Sequence, residues 1–128
     1  MMKDIESIYG DKKSTYSLAA TILVLDNDDV VVVVTGGYDH IGAIGLAVPR
    51  PSLEDQNRAS ATSSILTMLG HKEDVVSEYM SEKLAAATNR NVVVIAGIHY
   101  DNLVQEDIEA LREQWVVLTK KIIEHINQ

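Results

Sequence analysis

A single-domain α/β fold, with α+β as the alternative, is predicted for this chain of 128 residues. Three observations predict it. Val30 to Thr35 is five valines and a threonine in a row, a β-branched run bounded by turn signals. Two longer segments carry apolar residues at helical spacing. One of those segments lies between two strand-like runs, as in a βαβ unit. The expected architecture is a single five-stranded mixed sheet with two helices, in the order β-β-β-β-α-β-α.

Each element has its own signal. Tyr16 to Leu25 is aliphatic and reads as the first strand. Asp26-Asn27-Asp28-Asp29 is a turn, so this strand and the valine run form a hairpin. Unbroken valine suggests cover on both faces. Gly36-Gly37 ends the second strand and permits positive φ. Ile41 to Val48 is the third strand, and Gly42 and Gly45 within it suggest a bulge or a ligand against the backbone. Pro49 and Pro51 are expected to end its pairing. Leu53 to Ala59 reads as a polar loop able to act as a flap, and Ala61 to Leu69 as the fourth strand.

Gly70 breaks that strand, and a helix is predicted from about His71 to Thr88. Its stripe is Val75, Val76, Tyr79, Met80, Leu84 and Ala87. Glu73 and Asp74 suit the positive end of its dipole. Val92 to Ala96 is a buried strand. The last helix runs from about Gln105 to Ile126, with Ile108, Leu111, Trp115, Leu118, Ile122 and Ile126 as its apolar stripe. The whole chain, 1–128, is read as one domain, with 1–14 an N-terminal extension free to move. Two helices cover one face of such a sheet, so the valine-rich second face calls for a subunit partner and a homo-oligomer is expected.

Composition narrows the function. Eleven basic against nineteen acidic residues give a net charge of −8, which repels nucleic-acid backbones at long range. Cysteine is absent, which excludes disulfides, thiolate metal sites and cysteine nucleophiles. The longest apolar stretch, Val30 to Val34, is too short to span a bilayer. No membrane association is expected, and the natural reading is a soluble cytoplasmic protein.

Three of the four histidines stand beside glycine at element boundaries: His40, His71 and His99. Between the first two lies a run rich in small, hydroxylated and cationic residues. The expectation is one ligand site assembled from distant segments. Arg50, held between two prolines, suits a bidentate grip on phosphate or carboxylate. The helix start after Gly70 offers free N–H groups to an anion, aided by Lys72 and by Ser60, Thr62, Ser63 and Ser64. The alternative is that the serines face a sheet surface and Arg50 pairs with an acid such as Glu54. His99 and Asp101, two apart on a strand, share a face and can act together. Alternatively, Asp101 or Asn102 starts the next helix. Tyr38 and Tyr100 flank the proposed pocket and can stack on a planar ring; the alternative is that they are exposed at the surface. No Walker loop, dinucleotide fingerprint, nucleophile elbow or short histidine pair for zinc is present. Neither catalytic nor metal-binding residues are assigned.

Five blocks taken together resemble a known family. They are His40 to Ala47, Pro49-Arg50-Pro51-Ser52, Ser60-Ala61-Thr62-Ser63-Ser64, Gly70-His71-Lys72-Glu73-Asp74 and Ala96 to Asn102. They look like the LpdD-like prenylated-flavin chaperone family, small subunits that accompany gallate and other hydroxyarylic acid decarboxylases. The resemblance spans about Thr35 to Gln114. It implies a non-catalytic protein that holds prenylated FMN, or FMN, or helps deliver it to a decarboxylase of the prenylated-FMN-dependent class. On that reading Arg50, the Ser60 to Ser64 run with Ser60, Thr62 and Ser63, and the turn of Gly70, His71 and Lys72 would serve the phosphate, and Ser52 would be a further cofactor-binding residue. Gly36, Gly37 and Gly42 would leave room for the ring, and His40, His99 and Asp101 would bond its edge or the ribityl chain. Met68-Leu69 stands where the family would have a proline, and Val104 where it would have a small hydroxyl residue capping the last helix. The competing reading is a small enzyme that uses His99 and Asp101 as an acid–base pair on a phosphorylated or carboxylated molecule.

Overall fold

The structure is a computed structural model that describes residues 4–9, 16–68 and 73–128. The five expected strands and two helices are present in the expected order: β2 (Ala19–Val24), β3 (Val30–Gly37), β4 (Ala43–Pro51), β5 (Ala59–Thr67), α1 (Asp74–Thr88), β6 (Val92–His99) and α2 (Gln105–Ile126). One strand is added before them. Asp4–Tyr9 of the N-terminal extension forms β1, which pairs antiparallel with β2 through Ile5↔Leu23 and Ser7↔Thr21. All six strands form one sheet in the order β1-β2-β3-β6-β4-β5. β3 and β6 run parallel, and every other neighbouring pair is antiparallel.

Register explains how the valines divide. Side chains alternate faces along a strand, and the pairings line them up in rows. One face carries the rows Val24-Val30-Val92-Ala47, Ile22-Val32-Val94-Gly45 and Ala20-Val34-Ala96-Ala43. These residues are buried, and most of them join Met80, Leu84, Leu111, Leu118 and Ile122 of the helices in one core. The other face carries the rows Leu23-Val31-Val93-Leu46 and Thr21-Val33-Ile95-Ile44, the latter continued by Leu66 on β5. Here the central residues are half-buried, while Leu46, Val48 and Leu66 are exposed. Cover on both sides of β3, expected from its unbroken valine, is therefore found on one side only among the described residues.

The stripe expected on α1 is rotated. Val76, Met80 and Leu84 are buried as expected, but Val75 is exposed and Ser77, Ser81 and Ala85 are buried. The cause lies on the sheet. Ala43, Gly45 and Ala47 are small, so α1 sits close to β4. A Cβ on Gly45 would stand 2.6 Å from the carbonyl oxygen of Ser77, and only small helix residues fit such an approach. Gly45 thus admits the helix rather than a ligand. On α2 the stripe matches at Leu111, Leu118, Ile122 and Ile126, while Ile108 is exposed.

The prolines do not end β4. Pro49 and Pro51 pair with Ala61 and Ala59 of β5. The Ser52 N–H donates to the Arg58 carbonyl, so by the two-residue period the proline nitrogens point to the opposite side. There, pairing with β6 has already ended at Ala47↔Val92, and no ladder donor is lost.

Candidate functional site

One end of the sheet gathers much of the chemistry expected from the sequence. β3 and β6 run parallel and finish side by side, with Gly37 opposite His99. Ligands favour the carboxyl ends of parallel strands. The segment after β3 crosses this end, and His40 lies against the backbone of Gly97, where any Cβ would collide with the His40 carbonyl. Tyr38, His40, Ile41 and His99 line a hollow of about 400 Å³, within the range of small-molecule sites. The two imidazoles stand edge to face, 6.2 Å apart at an interplanar angle of 84°.

His40 is a structural wall of this hollow. Its Nδ1 lies 2.9 Å from the carbonyl oxygen of Tyr38 and its Nε2 lies 3.0 Å from Glu73 Oε1. A carbonyl only accepts, so Nδ1–H donates to it. The second contact then needs another proton, on Nε2 or on the carboxyl, which the pair shares. Glu73 is buried just before α1 and also accepts from the Ile98 N–H at 3.4 Å. It therefore ties β6, the 38–41 segment and the start of α1 together. Its sequence position suggested only a dipole role. The contact with His40 spans 33 residues, and no local pattern announces it.

His99 supplies the polar handle. Its Nε2 lies 3.1 Å from Asp101 Oδ1 and both side chains are exposed. A carboxylate accepts, so Nε2–H donates and Nδ1 is left as an acceptor. Asp101 serves His99 rather than the helix that follows. That helix has Val104 at its cap, and the Asp107 carboxylate accepts the Val104 N–H at 3.0 Å. Asp107 thus provides the half of a capping box that does not depend on a hydroxyl at Val104.

The glycines serve the chain itself. Gly37 has φ +71, and the space of its missing Cβ holds the His99 carbonyl; Gly36 packs on Leu18 and Tyr100, and Gly42 on the Glu73 carboxylate. Tyr38 is 74% exposed at the hollow. Tyr100 turns away: its hydroxyl donates to the Ser17 carbonyl at 2.6 Å and its ring meets Tyr16 edge-on at 5.1 Å.

Arg50 and the expected hydroxyl groups lie elsewhere. Ala43 of β4 pairs near the end of β6, and Arg50 is seven residues further along, about 23 Å away at strand rise. Arg50 donates to Thr62 Oγ1 at 2.7 Å and to the Pro51 carbonyl at 3.1 Å. With Pro49, Pro51 and Arg58 it borders a separate hollow of about 270 Å³. Ser60 is opposite Arg50, Ser52 accepts from the Glu54 N–H, and Ser63 donates to Glu82. The structure brings His40, His99 and Asp101 together and does not bring Arg50, Ser52, Ser60, Thr62 or Ser63 to them. Gly70, His71 and Lys72 lie outside the described residues. Among the described residues no three of His, Asp and Glu gather as a metal site, and no helix is long and apolar enough to cross a membrane.

A crystal structure of a chaperone complex for yeast 20S proteasome assembly is similar, with a TM-score of 0.57 over 96% of this chain and 95% of that one. At 14% identity the likeness is one of fold alone. No curated protein matches the chain significantly. The family described as the prenylated flavin chaperone LpdD-like domain matches residues 12–127, nearly the full length, and the chain belongs to that family.

Proposed function

We propose that this protein is a non-catalytic accessory subunit that holds prenylated FMN, or FMN, at the His40–His99 end of its sheet. It would supply that flavin to a hydroxyarylic acid decarboxylase of the prenylated-FMN-dependent class. The observation that carries the reading is the hollow between Tyr38, His40, Ile41 and His99 in a chain of the prenylated flavin chaperone family. Among the described residues its walls are one phenol, two imidazoles and one aliphatic side chain, surfaces that suit a flat ring. His99 Nδ1 is an acceptor matched to the imide N–H of a flavin, and Asp101 fixes that tautomer. Among the described residues no arginine or lysine lines the hollow, and it is the ring that these walls fit.

The protein's contribution is then binding and shielding. Tyr38 and Ile41 exclude water from the ring faces, the His40–Glu73 pair keeps the wall rigid, and His99 sets the ring's orientation. Bound prenylated FMN supplies the decarboxylation chemistry only in the partner enzyme. Transfer tests this. The protein is loaded with prenylated FMN, separated from free cofactor and mixed with a hydroxyarylic acid decarboxylase apoenzyme. Faster recovery of decarboxylase activity than with the same amount of free cofactor is expected. A protein that retains no flavin, or recovery no faster than with free cofactor, contradicts it. Turnover of a phosphorylated or carboxylated substrate by the protein alone, lost on His99→Ala, would favour the small-enzyme reading instead.

A further inference from the structure

We propose that the helix-free face of the sheet is a self-association surface, on which a second copy of this chain packs face to face. The starting observation is the pair of apolar rows that cross β2, β3, β6 and β4 on the side away from both helices. Nothing among the described residues covers them. Leu46 is 45% and Leu66 68% exposed, in a sheet whose other face is sealed by α1 and α2. An open apolar face of this kind marks an interface.

Three observations select a second copy as the occupant. The first is charge. The chain carries −8, yet on strands β2 to β6 the open-face positions hold one Asp, Glu, Lys or Arg side chain, Arg50 near the end of β4. Two such faces meet without bringing the acidic surfaces of the copies together. The second is size. Six strands of six to nine residues span a face of about 29 Å by 23 Å, roughly 670 Å² in projection. Side-chain relief raises this to the ~800 Å² per partner of a standard interface. The third is anatomy. The apolar rows are central, and the β5 side is edged by Ser60, Thr62 and Ser64, open-face positions opposite Arg50, Val48 and Leu46. A dry centre with a polar rim is what an interface between protomers shows, and two twisted sheets stack about 10 Å apart at a shallow angle. β6 is an inner strand of the six, so a twofold axis near it would bring Val93 and Ile95 of the two copies together. His99 stands at the end of the same strand, which sets the flavin hollow beside this interface.

Sedimentation velocity on the full chain tests the proposal without any ligand. A species of twice the 14.1 kDa of one chain is expected at micromolar concentration. Leu46→Lys places a charge at the centre of the contact and should raise the dissociation constant at least about 100-fold, with an unchanged circular dichroism spectrum because Leu46 is already exposed in the single chain. Val75→Lys, at an exposed apolar position on α1, should leave the mass as it was. The chain has no cysteine, so Ile95→Cys gives one thiol whose labelling should be slow in the dimer and fast after Leu46→Lys is added. A wild-type monomer up to about 100 µM overturns the proposal, whether the Ile95→Cys thiol is then open or shielded by the chain's own residues. A dimer that Leu46→Lys leaves intact, or that Val75→Lys splits, overturns it as well.

Discussion

Asp101 has one task at the site, and replacing it reads out that task. As a carboxylate it accepts from His99 Nε2 and leaves Nδ1 as the acceptor. The amide of Asp101→Asn can turn its NH₂ to the ring, which then carries its proton on Nδ1 and meets the flavin imide donor to donor. Flavin affinity should fall about tenfold, close to 1.4 kcal/mol, while the melting temperature stays within a degree or two because both side chains are exposed. An unchanged Kd by calorimetry would remove His99 from ligand recognition. Tyr16 gives a second residue-level outcome. Partial burial, then the Asp107 carboxylate, raise its pKa above 10.0. The folded state therefore holds the phenol proton more tightly than the unfolded state. That stabilisation is complete below pH 10 and declines as the pH rises beyond it. Chemical denaturation between pH 9 and 11 should show this decline in the wild type and a shallower one in Tyr16→Phe; identical slopes would contradict it. The nearness of His99 and Asp101 could be read from the sequence because residues two apart on a strand share a face, and His40 and His99 both stand at or just past strand ends. The contacts of Glu73 could not be, because its partners His40 and Ile98 are 33 and 25 residues away.

At the scale of elements, the contact between α1 and β4 separates what periodicity can tell from what it cannot. Helical spacing placed α1 correctly to within a few residues but chose Val75 and Ala87 for its buried side, whereas the sheet takes Ser77, Ser81 and Ala85. Small residues on both partners decide this, and apolar periodicity gives serine no credit. Gly45→Val should therefore wedge the helix from the strand, since its Cβ would stand 2.6 Å from the Ser77 carbonyl and 2.9 Å from Ser81 Oγ. A loss of about 1–3 kcal/mol in urea denaturation is expected. A stability equal to wild type would mean that α1 does not lie against β4 as described. The strands were easier to read. Valine runs and turn residues marked β2, β3 and β6, and hairpin chemistry at Asp26 to Asp29 paired the first two. β1 was hidden because Asp4, Glu6 and Lys3 made the N-terminus look like a charged tail. The prolines of β4 misled because a sequence does not show which edge each nitrogen faces.

At the scale of the molecule, fold class, element order and the unmet need of one sheet face follow from pattern alone, because alternation and helical spacing are local. The site does not, because it depends on which strand ends meet. Sequence placed Arg50 and the serine-rich strand around the same ligand as the histidines, but β4 runs the length of the sheet and puts Arg50, with Ser60 opposite it on β5, at the other end. A flavin held at the His40–His99 hollow should therefore be indifferent to Arg50 and sensitive to His40. Equilibrium titration of the wild type, His40→Ala and Arg50→Ala with prenylated FMN, followed by flavin absorbance and protein fluorescence, tests this most directly. Saturable binding by the wild type is expected, weakened at least tenfold by His40→Ala and by less than twofold by Arg50→Ala. Binding that survives His40→Ala intact, or no binding by the wild type at high micromolar flavin, would contradict it.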